Sequence, residues 1–240
     1  MSGTRVIRIA DLILFKNQDY IIINKPPFVA TLEDRVGPVH MLALARQVEP
    51  DAQVCHRLDK DTSGVLAIAR NPEAYRHLSM QFEHRTVTKV YHAVVDGKRD
   101  FKNLIVDARI LKQNDGNVKI SSKGKDAHTT FSTLQIFNRH TLVECRPLTG
   151  RMHQIRIHLA IQDAPITGDE LYGGQHFLIS SIKRKFRVKK DTVELPLMKR
   201  MALHAFSLEF RGLDGALIKV EAPYPKDFSA LIKQLLANVS

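Results

Sequence analysis

Two charged clusters carry residues whose types and spacing allow chemistry. The first is Cys55-His56-Arg57-Leu58-Asp59-Lys60-Asp61-Thr62-Ser63-Gly64, which places a carboxylate between two cations and then enters the apolar run Val65 to Ala69. That run reads as a short buried strand, and Thr62, Ser63 and Gly64 are turn residues able to hold Asp59 at its mouth. A carboxylate held there can act as nucleophile or base. On spacing alone the plainer reading wins: Asp59 bonds its own backbone in a turn, and Arg57 is a solvated surface cation. The second cluster shifts the balance. It runs from Arg146 to Leu159 and includes Thr149-Gly150-Arg151-Met152-His153-Gln154-Ile155-Arg156-Ile157-His158.

The pattern H-R-L-D-x-x-T-S-G, followed much later by T-G-R-x-H-Q-I-R-x-H-L, resembles the RluA-type pseudouridine synthases, which isomerise uridine to pseudouridine within RNA. Three weaker blocks agree in order: Asn24-Lys25-Pro26, Lys89 to Gly97 and Ile166 to Gly173. The likeness extends from about Leu12 to Pro223. Family members often carry a glycine shortly after the Lys-Pro pair, where this chain has Pro26-Pro27-Phe28, a departure that bears on the shape of that loop. Many relatives also carry a small S4-like RNA-binding module before the catalytic domain. Only about ten residues precede Leu12 here, so the chain reads as the catalytic domain alone, a single domain over residues 1–240.

The resemblance implies specific roles. Asp59 is the nucleophile, attacking the anomeric carbon of the ribose or assisting a glycal intermediate. Arg151 is its partner, offering a planar fork of donors that lysine lacks. Tyr91 stacks on the flipped uracil and takes the proton from carbon 5, Ile155 packs near the base, and Arg57 pushes into the RNA helix vacated by the nucleotide. The reaction needs no cofactor. Without the family pattern, Tyr91 would read as a core tyrosine with a satisfied hydroxyl. Thr62 and Ser63 read as turn hydrogen-bonders and His56 as structural support, because no serine-histidine-aspartate layout accompanies them.

Charge points to the same class of partner. The chain has 240 residues with a formal net charge of +11 and a pI near 9.7; clustered lysine and arginine neutralise phosphates and release counterions. Between Ile182 and Arg200 eight basic residues face only Asp191 and Glu194. A run of this kind is usually a solvated face. Beside a catalytic domain of this family it reads as an RNA-backbone contact, with Lys183, Arg184 and Lys185 as substrate-binding residues. Cys55 and Cys145 form no C-x-x-C pair, and His153 and His158 are not at ligand spacing on one helical face, so no metal is expected. No apolar run approaches the roughly 20 residues needed to span a bilayer. The expected setting is cytoplasmic, and the expected state is a monomer.

The elements around these clusters follow from patterning. Leu12 to Phe15 and Tyr20 to Asn24 read as strands around a turn, and a helix is expected from about Val39 to Val48. Asn71 reads as an N-cap with Pro72 at the first helical position, and Ala74, Leu78 and Phe82 form an apolar stripe. Thr86 to Val95 reads as a strand with Val87, Lys89, Tyr91, Ala93 and Val95 on one face. Asn114-Asp115-Gly116-Asn117 signals a hairpin, and Thr129 to Phe137 and Leu142 to Cys145 continue a meander. Thr149 is expected to cap a helix starting near Arg151, which would put that cation in the first turn, where the helix dipole disfavours it. A last hairpin spans Phe206 to Glu221, before a helix from about Lys226 to Leu236. Together these make an α+β domain. The resemblance adds a large, mostly antiparallel mixed sheet in two lobes with a central RNA-binding cleft.

Three functions compete. The leading one is an RNA uridine isomerase acting on ribosomal RNA, with transfer RNA as the alternative substrate. A non-catalytic RNA-binding or RNA-folding protein on the same scaffold is disfavoured by the intact Asp59, Tyr91 and Arg151. A glycoside hydrolase would need a second carboxylate as general acid, and neither motif supplies one apart from Asp61.

Overall fold

The computed structural model describes residues 7–33, 39–114, 116–183 and 192–238. In chain order its elements are β1 (Ile13–Lys16), β2 (Tyr20–Lys25), α1 (Met41–Arg46), β3 (Gln53–Val54), β4 (Ser63–Ala69), α2 (Pro72–Glu83), β5 (Thr88–Asp96), β6 (Leu104–Asp107), β7 (Ile110–Lys112), β8 (Val118–Ile120), β9 (His128–Ile136), β10 (His140–Pro147), α3 (Gln154–Ala160), β11 (Leu203–Arg211), β12 (Leu217–Glu221) and α4 (Lys226–Leu236). This is the expected α+β class. Contacts divide it into two compact units, one of Met1–Lys89 with Ala205–Pro223 and one of Val90–His204 with Tyr224–Ser240.

In the first unit, β1 and β2 form a hairpin whose turn is tied by Asn17; its Oδ1 accepts the backbone N–H groups of Asp19 and Tyr20 at 2.9 and 2.7 Å. β2 pairs antiparallel with β4 from Tyr20↔Ala69 to Lys25↔Gly64. All seven residues of β4 are buried, which is why its sequence runs continuously apolar instead of alternating. Gly64 is required where β4 begins. Its φ is +115°, and a Cβ there would lie 2.1 Å from the carbonyl oxygen of Ala205. Asn71 caps α2 by accepting the Ala74 N–H at 2.8 Å, with Pro72 opening the helix. Ala74 and Leu78 are buried and Phe82 packs against the same cluster, as the stripe predicted. The helix expected over Val39–Val48 is shorter, because the His40 side chain caps it by accepting the Ala43 N–H. β11 and β12 complete this unit as an antiparallel hairpin.

In the second unit β10 pairs antiparallel with β5 on one side and β9 on the other, and β6 joins β9. β7 and β8 form a separate two-stranded ribbon. The one-faced pattern expected of β5 is not what the strand shows. Residues from His92 to Val95 are buried without a break, and Ala93, Val94 and Val95 all join one apolar cluster. α4 has the expected bounds; it buries Phe228, Leu231 and Leu235, and Arg200 donates to both carboxylate oxygens of Asp227 in its first turn. α3 departs from expectation. It begins at Gln154, because His153 adopts a left-handed backbone with φ 53° that breaks helical continuity. Arg151 therefore stands before the helix, and the expected conflict with the helix dipole does not arise. Five residues of α3 (Gln154, Ile155, Ile157, His158 and Leu159) are buried. Ile155 and Leu159 enter the large sheet cluster, while Ile157 packs with Ile110 and Val118 of the ribbon.

Candidate active site

Asp59 sits on a loop whose backbone is fixed from several directions. Its carbonyl accepts the Thr62 N–H at 3.0 Å, closing the turn into β4. Leu58 exchanges two bonds with one hydroxyl: Thr31 Oγ1 accepts the Leu58 N–H at 3.1 Å and donates to the Leu58 carbonyl at 2.9 Å. The Lys25 side chain is fully buried. Its Nζ donates to the carbonyls of Pro26 (3.0 Å), Val29 (2.8 Å) and Lys60 (3.1 Å). A buried ammonium is costly unless its donors are satisfied. Here three carbonyls satisfy them, and one of the three belongs to the residue after Asp59.

His56 anchors the other end of the loop. Its ring stacks on Phe82 with centroids 4.8 Å apart, and its Nε2 accepts the Ala67 N–H of β4 at 3.0 Å. An accepting Nε2 must be unprotonated. Consistent with that, burial and, second, the charge of Lys89 push the imidazole pKa down to about 3. His56 is thus a neutral strut. Lys89 is itself pushed down to about 8 by burial and by Arg85. Burial pushes the Cys55 thiol up to about 12, so it is not a reactive thiolate. Arg57 is exposed, Asp59 is partly buried, and Asp61 is exposed.

In the second unit, Arg151 lies on a turn organised by Gln154. The amide oxygen of Gln154 accepts the Thr149 hydroxyl at 2.7 Å and the Arg151 N–H at 2.9 Å. Its amide nitrogen donates to the His128 carbonyl at 2.9 Å and to Thr129 Oγ1 at 3.0 Å. The Thr129 hydroxyl contacts His158 Nδ1, and His158 Nε2 donates to the Ala108 carbonyl. That order fixes the tautomer, and burial lowers the His158 pKa. Thr149, expected as a helix cap, spends its hydroxyl on Gln154 and accepts the His128 N–H instead. The Arg151 guanidinium donates through Nε to the Asp126 carbonyl at 3.0 Å. His153, two residues on, meets the Tyr172 hydroxyl at 2.9 Å. Arg156 lies 5.0 Å from the centre of the Tyr172 ring and forks onto both oxygens of buried Asp169 at 2.6 and 2.8 Å.

Tyr91 lies on β5 opposite Cys145 of β10, partly buried and packed against the cluster that contains Ile155. The second unit thus gathers Tyr91 and Ile155 in one apolar cluster, with Arg151 on the turn that leads into α3. The first unit holds Arg57 and Asp59 on one loop. Lys183 is exposed; Arg184 and Lys185 lie outside the described residues. Sequence reading passed over Lys25, Thr31 and Gln154 as organisers. The only signal for Lys25 was its place in the Asn24-Lys25-Pro26 block. Among the described residues no group of three His, Cys, Asp or Glu side chains is arranged to hold a metal ion, and no helix is long and apolar enough to cross a membrane.

Residues 19–161 match the family described as RNA pseudouridylate synthase. The chain is 32% identical to ribosomal large subunit pseudouridine synthase C of Pasteurella multocida, over 96% of this chain and 70% of that one. It is 36% identical to ribosomal large subunit pseudouridine synthase D of Xanthomonas campestris, over 93% of this chain and 69% of the relative. Among solved structures, human RNA pseudouridylate synthase domain containing 4 superposes with a TM-score of 0.75 at 24% identity, covering 95% of this chain and 94% of that one.

Proposed function

The chain belongs to the RNA pseudouridylate synthase family and isomerises uridine to pseudouridine in RNA, and from that premise we propose that Asp59 is its nucleophile. In the reaction the bond from C1′ to N1 of uracil breaks, a bond from C1′ to C5 forms, C5 gives up its proton and N1 gains one. A carboxylate serves this by adding to the sugar and leaving again, or by assisting a glycal. The observation that carries the assignment is the fixing of the loop by Lys25, Thr31 and His56, which holds the backbone around Asp59 before any substrate arrives. Preorganisation of a reacting group is worth more than its mere presence.

Tyr91 and Arg151 are the further catalytic residues, and Arg57, Ile155, Lys183, Arg184 and Lys185 are the RNA contacts. The substrate is ribosomal RNA, a reading supported by the ribosomal large subunit named for the relatives. Residues 1–240 act as one catalytic domain, as a monomer, in the cytoplasm.

The nucleophile is tested with RNA carrying tritium at C5 of uracil, which passes to water once C5 joins the sugar. Wild-type protein releases it. Asp59→Asn lowers the rate on the order of 10⁴-fold or more, the scale expected when a covalent nucleophile is lost. Release at the wild-type rate would overturn the assignment.

A further inference from the structure

Phe28 occupies a backbone conformation that suits glycine. Its φ is +68°, in the left-handed region, where a Cβ crowds the following carbonyl and a bulky side chain is a true outlier. Burial does not compensate, because Phe28 is 51% exposed. For folding alone a glycine would serve better at this position. The loop is nevertheless held in place: the carbonyls on both sides of Phe28, those of Pro26 and Val29, accept from buried Lys25 Nζ, which also holds the Lys60 carbonyl beside Asp59. An exposed aromatic ring is thus tied through one ammonium to the loop that carries Asp59. Strain retained at such a place points to use in binding.

We propose that Phe28 is a stacking platform for an unpaired base of the RNA substrate, a contact that rests on the family's RNA chemistry and not on the assignment of Asp59. The ring has no charge or donor for a phosphate, whereas every base presents a π-face, and aromatic side chains recognise single-stranded RNA in this way. Extruding a uridine also unstacks its neighbours and leaves such faces open.

The test uses Phe28→Gly and Phe28→Asn, which accept left-handed backbone without a ring, and Phe28→Trp, which keeps one. Each is titrated against a labelled oligouridine of about 12 nucleotides and against an RNA duplex of the same length. Loss of one stacked base predicts roughly 5- to 150-fold weaker oligouridine binding for the Gly and Asn variants. Duplex binding stays unchanged, Phe28→Trp binds as the wild type does, and the thermal midpoint of Phe28→Gly is equal or higher. A lower midpoint for Phe28→Gly would make the ring a packing group and overturn the proposal. So would equal loss on duplex, unchanged oligouridine binding by both variants, or no oligouridine binding by the wild type. The Asp59→Asn protein is titrated alongside. Normal tritium release by that variant would remove the nucleophile while leaving the Phe28 result standing.

Discussion

The loop that carries Asp59 and the turn that carries Arg151 are both held by side chains that saturate backbone groups, and they differ in how. The Asp59 loop is fixed from a distance in sequence: Lys25 and Thr31 reach residues 35 and 27 positions later. One of its clamps is a buried cation, and the other end rests on an imidazole that must stay neutral. The Arg151 turn is fixed mainly by a neutral amide three residues further on, with every donor and acceptor of Gln154 in use. The first arrangement depends on β2 and β4 being paired already; the second is built from the start of α3 and the adjoining strand. Order at Asp59 should therefore respond to charge and to acid, and order at Arg151 to hydrogen-bond geometry.

Breaking the charged clamp should have the largest effect. Lys25→Met leaves the carbonyls of Pro26, Val29 and Lys60 without their donor, and a loss of about 3–5 kcal/mol is expected in urea unfolding. Turnover should fall in the surviving folded protein. A variant as stable and active as the wild type would mean that the clamp does not organise the loop. Gln154→Leu comes next. It strips partners from the Arg151 N–H, the His128 carbonyl and two hydroxyls, at about 2–3 kcal/mol. If its cost exceeded that of Lys25→Met, the neutral turn would be the more critical of the two regions and the contrast would be reversed.

The smallest effect sharpens the contrast through pH. His56 titrates at about 3 in the folded chain against 6.5 ordinarily. Below pH 6.5 the unfolded chain takes a proton that the folded one refuses, so stability present above that pH is lost as pH falls toward 3. His56→Gln should cost about 1 kcal/mol at neutral pH and show a flatter decline across that window. Parallel acid limbs for the two proteins would contradict the neutral-strut reading.

Much of this was legible in the sequence, for identifiable reasons. β4 announced itself by an unbroken apolar run, and α2 by its Asn71-Pro72 start and the stripe of Ala74, Leu78 and Phe82. The two long motifs brought Asp59 and Arg151 forward as candidates, and the weaker block from Lys89 to Gly97 did the same for Tyr91. The clamps were not legible. A buried lysine is written with the same letter as a solvated one, and its partners are carbonyls, which carry no residue identity at all. Thr149 looked like a cap because Ser/Thr residues ahead of an apolar stripe usually are. The left-handed backbone at His153 broke that pattern, and nothing in the residue type foretold it. β5 failed the alternation rule because burial on both faces erases the period the rule reads.

Pseudouridine mapping in cells decides whether Asp59 performs the isomerisation. Carbodiimide adducts and primer extension on ribosomal and transfer RNA would compare cells holding the wild-type protein with cells holding only Asp59→Ala. Loss of one or a few ribosomal RNA sites, with the variant folded and present at normal level, is the predicted result. Retention of every site in those cells would mean that Asp59 is not the nucleophile.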